Sequence, residues 1–161
     1  MALRNIVEEG DPILRKHCRE VDEVNDRIRM ILDDMVETMR EANGVGLAAP
    51  QIGIIRRMFV ANPDPESGEA YYFVNPEIEY LEGSQESEEG CLSVPGCMGL
   101  VERPEKVKIK GLGRDGQEQE YTFEGFPAIV ICHEFDHLEG ILYTDKAKEM
   151  YEITNNEGQE E

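Results

Sequence analysis

Between residues 25 and 44, in "NDRIRMILDDMVETMREANG", apolar side chains recur at Ile28, Ile31, Leu32, Met35, Val36 and Met39. These three- and four-residue steps predict one buried helix face. Asn25 is placed to cap its start and Asn43-Gly44 to end it, and the methionines of the stripe read as core filling. The next stretch, "GVGLAAPQIG" (44–53), is too rich in glycine and small residues for an ordinary helix. The period then falls to two, and "RMFVAN" (57–62), "AYYFVNP" (70–76) and "EIEYLEG" (77–83) predict three short strands separated by turns. In 105–125, Val107 and Ile109 alternate with lysines, Asp115-Gly116 supplies a turn, and Tyr121 and Phe123 alternate on the return, which predicts a hairpin. "PAIVICHEFDHLE" (127–139) reads as a second helix, with Pro127 in its first turn and Gly140 just past its end. Helix, antiparallel strands, helix is the order of an α+β domain. The expected arrangement is short antiparallel strands around the second helix, with the first helix near the N-terminus.

Composition narrows this picture. A chain of 161 residues with 40 % apolar side chains suits one domain with one core. Its longest apolar run, 128–132, falls far short of the roughly 20 residues a membrane helix needs. "MALRNIVEEGD" carries charges where a secretory signal needs its apolar stretch, so the expectation is a cytoplasmic protein with no membrane partner. The net charge of −19 would repel phosphate backbones, so direct nucleic-acid binding is not expected. The acid is concentrated in 76–90, with six glutamates and no base, and from residue 149 onward, with five and no base. Both read as solvated surface. The domain is accordingly bounded at 1–148, and 149–161 is expected to be a disordered acidic tail.

Two of the three histidines fall in "ICHEFDHLEG" (131–140). His133 and His137 are one helical turn apart and can direct two imidazoles at one metal ion. Glu134 sits beside that face, where it can handle protons for a metal-activated water without being a ligand. A catalytic metal usually has three protein ligands and an open position. The longer zinc-protease pattern would put its third histidine at 143, which is a tyrosine. His17 lies far upstream among basic residues and reads as a surface side chain. The third ligand is therefore sought in "EEGCLSVPGC" (88–97), where Cys91 and Cys97 both qualify and periodicity does not choose between them. A thiolate favours Fe(II) or Zn(II) over Mg(II) or Ca(II). All four cysteines are expected to be reduced.

Three stretches in order, "GVGLAAPQ" (44–51), "EGCLSVPG" (89–96) and "HEFDHLEG" (133–140), together resemble the signature motifs of the peptide deformylases. "ERP" (102–104) fits as well, and the likeness runs from about residue 3 to about residue 148. The resemblance implies a single catalytic domain over 1–148 that removes the N-formyl group from the formylmethionine of new polypeptides. It implies Cys91, His133 and His137 as metal ligands, so that Cys91 wins over Cys97, and Glu134 as general acid/base. Gln51 and the backbone N–H of Leu92 would hold the developing oxyanion, and Gly46 would contact the peptide. The implied metal is Fe(II) in the cell, with Ni(II), Co(II) or Zn(II) tolerated. Formylmethionyl peptides or nascent chains are the implied partners, and a monomer is favoured.

Val45 and Ile129, and less strongly Phe126, are candidates to line a pocket for the methionine side chain. Glu89 and Arg103 are placed to pair and support the cysteine segment; as a surface pair they would contribute under about 1 kcal/mol. Cys132 stands where many relatives have glutamine and reads as an inert core thiol. Cys97 and Met98 stand where some relatives carry a basic residue, and the acidic end lacks a basic terminal helix for docking on ribosomal RNA. Two other readings compete. A zinc endopeptidase would cleave internal bonds, and a metal-stabilised binding module would bind the metal with four protein ligands, Cys97 among them.

Overall fold

The computed structural model describes residues 2–64, 66 and 68–153. After a 3-10 turn (Pro12–Arg15) come helix α1 (Asp26–Glu41), strand β1 (Gly46–Ala48), a second 3-10 turn (Ala49–Ile52), β2 (Met58–Ala61) and β3 (Tyr71–Glu82). Then follow β4 (Gln85–Cys91), β5 (Val94–Arg103), β6 (Lys106–Leu112), β7 (Glu118–Glu124), α2 (Phe126–Leu138), α3 (Tyr143–Lys146) and β8 (Glu149–Glu152). The strands form a five-stranded sheet in the order β1-β2-β3-β6-β7 and a three-stranded sheet in the order β4-β5-β8. Every pairing within them is antiparallel, as an α+β domain requires.

The termini of α1 match its sequence. The Asn25 side chain accepts from the Ile28 N–H at 3.0 Å, satisfying one orphan donor. At the other end Asn43 takes the left-handed conformation (φ 60). There the Asn43 and Gly44 N–H groups bond to Arg40 and Met39 carbonyls at 3.1 and 2.9 Å. The buried face, with Ile31, Leu32, Met35 and Met39, packs with Leu47, Met58 and Val60. Residues of opposite parity on the same strand, Phe59 and Ala61, pack instead with Ala128 and Ile131 of α2. Strand β2 is thus covered by a helix on each face, which is why "MFVA" is apolar throughout rather than alternating.

Helix α2 ends on Gly140 (φ 78), whose N–H and that of Ile141 bond to the His137 and Asp136 carbonyls at 3.1 and 3.0 Å. A Cβ there would stand 2.5 Å from the Arg15 carbonyl oxygen, so glycine both permits the turn and admits the first 3-10 turn against the helix end. No helix of the described residues is long and apolar enough to cross a membrane.

The hairpin predicted over 105–125 is β6–β7, with Gly116 at φ 82 in its turn. Four readings of the sequence need correction. The strands expected at 70–76 and 77–83 are one strand, β3, carried through Pro76 by a bulge at Asn75 (φ 53). The Asn75 side chain bonds both the N–H and the carbonyl of Val21, at 2.8 and 2.9 Å, which fixes a conformation that breaks the two-residue period. The cysteine segment, assigned to no element by the sequence pattern, is a tight hairpin in which Cys91 pairs with Val94 across Leu92-Ser93. The acidic run 76–90 is not all solvated, for Ser87 and Glu89 are buried. The end assigned to the tail begins with strand β8, whose residues 149–152 pair with β5; its backbone bonds are indifferent to the glutamates that marked it as polar. The remainder of the expected tail, 154–161, lies outside the described residues.

Candidate active site

Helix α2 buries residues 130–134 and 137–138, so the imidazoles of His133 and His137 stand inside the protein, with ring centroids 5.1 Å apart. Cys91 closes β4, and the turn at Leu92-Ser93 aims its thiol at the helix. The Cys91 sulfur and one nitrogen from each histidine lie within 4.8 Å of one another, with Cys91 Sγ 3.5 Å from His137 Nε2. Cys97 is not part of this group, although it borders the same cavity. His17 has no place in it either: its ring is exposed and meets Glu139 at 3.1 Å.

Strand β4 buries alternate residues, and Glu89 points inward two positions before Cys91. Its carboxylate accepts from His133 Nδ1 at 2.9 Å, which leaves Nε2 free to face the sulfur. Arg103, only 1 % exposed, donates to both Glu89 oxygens at 2.7 and 2.8 Å and to Asp136 at 2.8 Å. The pair predicted as a surface bridge is therefore a buried one, bracing β4, β5 and α2 together. Burial would raise the Glu89 pKa, but the bonds from Arg103 and His133 outweigh it and hold the carboxyl down at about 2.

The surroundings of the two histidines shift them in opposite directions. Burial pushes His137 well below its ordinary range, with the charges of His133 and Arg103 acting the same way. Burial also opposes charge on His133, yet the hydrogen bonds to Cys91 and Glu89 and the charge of Glu134 lift it to about 10. A divalent cation placed among these three donor atoms would satisfy all of them. One sulfur and two imidazole nitrogens form a donor set suited to a borderline or soft metal ion.

Glu134 is buried beside this group, and its Oε1 has no hydrogen-bond partner among the described residues. Burial pushes its pKa up to about 7. A cation nearby pulls the other way. The carboxylate fits only because residue 46 is glycine: a Cβ there would stand 2.4 Å from Glu134 Oε2. Gln51 is buried in the second 3-10 turn, its Oε1 accepting from the Ala48 N–H at 2.9 Å. Its Nε2 donates to Ser93 Oγ at 3.0 Å and lies 3.6 Å from Cys91 Sγ.

A cavity of about 370 Å³ opens onto these groups. Val45, Gly46, Gln51, Leu92 and Ile129 border it, with Phe126 half-exposed at the rim. Cys132 is buried in the core cluster with Ala128 and Ile131, and burial pushes its thiol up to about 11. Sequence reasoning did not single out Ser93, Asp136 or Tyr143. Asp136 lies inside the histidine motif, one position before His137, and could have been found there. Tyr143 stacks on His133 with ring centroids 6.0 Å apart, a tertiary contact that leaves no local trace.

Comparison with known proteins agrees with this geometry. The family model described as polypeptide deformylase matches residues 3–152. A peptide deformylase of Clostridium perfringens is 52 % identical over 145 residues, covering 90 % of this chain and 98 % of its own. One from Agathobacter rectalis is 50 % identical and covers 99 % of this chain and 100 % of its own. Among solved structures, peptide deformylase from Thermotoga maritima superposes with a TM-score of 0.87 at 37 % identity, covering 91 % of this chain and 99 % of its own. The Synechococcus elongatus enzyme in complex with actinonin gives 0.87 at 35 % identity, covering 91 % and 79 %. With the family matched from one end of the fold to the other, the chain belongs to the peptide deformylases, metal-dependent hydrolases that remove the formyl group from new polypeptides.

Proposed function

We propose that Cys91, His133 and His137 hold the catalytic cation, that Glu134 moves the proton, and that Gln51 with the Leu92 N–H holds the oxyanion. The observation that carries this reading is the convergence of one sulfur and two imidazole nitrogens within 4.8 Å, next to a buried carboxylate and an open cavity. Fe(II) is the metal proposed for the cell, with Zn(II), Ni(II) or Co(II) as substitutes, on the strength of the thiolate. The bound cation would acidify a water and polarise the formyl carbonyl.

Water adds to the formyl carbon, the C–N bond breaks, and the products are formate and a free methionine amine. Glu134 takes a proton from the attacking water and delivers it to the departing nitrogen, a double duty suited to a carboxyl whose pKa burial has raised. As the carbonyl oxygen gains charge, the Gln51 amide and the Leu92 N–H donate to it. Neutral donors already in place cost little reorganisation, and losing one typically costs about 3 kcal/mol of barrier. Gly46 lets the substrate backbone approach, and Val45 and Ile129 line the methionine subsite. The proposed substrates are formylmethionyl peptides or nascent chains, acted on by a monomer in the cytoplasm. Nothing in the relatives favours the endopeptidase or the binding module.

The test compares formyl-Met and acetyl-Met peptides with metal-reconstituted protein, following formate and free amine. Wild type should deformylate and leave the acetylated peptide intact, and Gln51→Ala should lower kcat by about a hundredfold with metal content unchanged. Cleavage of an internal bond, or equal turnover of both peptides, would refute the reading. Gly46→Ala carries a second expectation. Its methyl group would displace Glu134 from 2.4 Å, so kcat should fall about tenfold or more while metal is retained. An unaltered kcat would show that Glu134 need not stay in that position.

A further inference from the structure

The two proposed oxyanion donors come from separate parts of the chain, Gln51 from a 3-10 turn and Leu92 from a hairpin turn. The Gln51 Nε2–Ser93 Oγ bond links these parts directly at 3.0 Å, and a third segment touches both. The Val7 N–H donates to the Gln51 carbonyl at 2.7 Å, and the Glu9 N–H donates to the Ser93 carbonyl at 2.7 Å. Residues 7 and 9 are two apart, so one short segment reaches both donor segments.

This arm is tied down at both ends. At its start the Ala2 N–H donates to Asp34 Oδ1 at 2.8 Å, and Arg4 Nε and Nη2 donate to Asp34 Oδ2 at 3.0 and 2.9 Å. The Arg4 N–H donates to Thr38 Oγ1 at 2.9 Å. Asp34 and Thr38 are buried polar residues on α1, and the arm supplies their partners. Beyond residue 9, Asp11 caps the first 3-10 turn through the Ile13 N–H at 3.1 Å, and Leu14 of that turn is buried. The arm therefore spans from the rigid helix α1 to the end of α2, crossing both donor segments on the way.

We propose that residues 2–9 form a positioning strap that sets the spacing of the Gln51 and Leu92 donors, with Val7 and Glu9 as its contact points and Asp34 as its anchor. The strap acts through backbone carbonyls and takes up neither the Gln51 side-chain amide nor the Leu92 N–H. This inference rests on the reading of those two groups as the oxyanion donors. An error of an ångström in their placement weakens the transition state without altering the methionine subsite, so the strap should govern kcat and not KM.

Proline substitution removes one N–H at a time. In the full-length, metal-reconstituted protein, Val7→Pro and Glu9→Pro each delete one contact. Glu8→Pro stiffens the same arm but removes an N–H that has no hydrogen-bond partner among the described residues. Val7→Pro and Glu9→Pro should lower kcat about tenfold relative to Glu8→Pro, with KM for a formyl-Met peptide within about twofold and metal content unchanged. Asp34→Ala should show the same split between kcat and KM, and Asp34→Asn, which keeps an acceptor for the Ala2 N–H, should recover part of the loss. If Val7→Pro and Glu9→Pro match Glu8→Pro while Gln51→Ala is impaired, the strap is refuted and the oxyanion assignment stands. If Gln51→Ala keeps the wild-type kcat, the oxyanion assignment fails instead. Should a proline variant not fold, Asp34→Ala decides, and a wild-type kcat there overturns the proposal.

Discussion

Glu134→Ala is expected to lower kcat for formate release by about a thousandfold while the protein still binds one metal ion. The magnitude follows from the loss of a positioned general acid/base, which typically contributes between about a hundredfold and ten-thousandfold. Metal should be retained because the three converging donor atoms belong to Cys91, His133 and His137, not to Glu134. Its Oε1 bonds to nothing among the described residues, so the fold does not depend on it for a hydrogen bond. Removing a buried carboxyl whose pKa is pushed up to about 7 should leave stability equal or slightly higher. Steady-state kinetics, metal analysis and a thermal melt on the same preparation check all three expectations. Formate release at the wild-type rate would remove Glu134 from the mechanism.

Arg103→Ala is expected to have the opposite signature, a large loss of stability together with weakened metal binding. Arg103 is 1 % exposed, and Glu89, 5 % exposed, depends on it for two hydrogen bonds. Removing one partner of a buried pair leaves an uncompensated charge and typically costs 3–5 kcal/mol. For a domain of this size that corresponds to a fall in Tm of roughly 10 °C. Glu89 also orients His133 through Nδ1 at 2.9 Å, so disorder there should reach the metal site and lower its affinity roughly tenfold to a hundredfold. Thermal melting with and without added metal, and competition with a chelator, measure the two effects. A variant with wild-type Tm and metal affinity would contradict the bracing role given to Arg103.

The helices and the facing pair of histidines were readable from the chain because each rests on a local regularity. The α1 stripe follows a 3.6-residue period, asparagines at 25 and 43 mark its start and stop, and two histidines four apart share a face wherever a helix forms. Val107 and Ile109 opposite Tyr121 and Phe123 made the β6–β7 hairpin equally plain. What escaped depends on contacts distant in sequence. The bulge at Asn75 is held by Val21, 54 residues away. The Glu89–Arg103 pair was expected, but at the surface, because the contacts that bury Glu89, with Arg103 and His133, lie 14 and 44 residues further on. Strand β8 was hidden because a backbone edge recruits partners by hydrogen bonding, which glutamate-rich sequence does not advertise. The choice of Cys91 over Cys97 was likewise beyond periodicity. It is set by the hairpin turn at Leu92-Ser93, which directs Cys91 at α2.

The claim on which the account depends is that one sulfur and two imidazoles hold a single cation with room left for water. X-ray absorption at the edge of the bound metal counts those neighbours directly. Wild-type protein should give one sulfur and two imidazole nitrogens plus a light, exchangeable atom, with the sulfur lost in Cys91→Ser and retained in Cys97→Ser. A first shell without sulfur in the wild type, or one filled by four protein atoms including Cys97, would contradict the account.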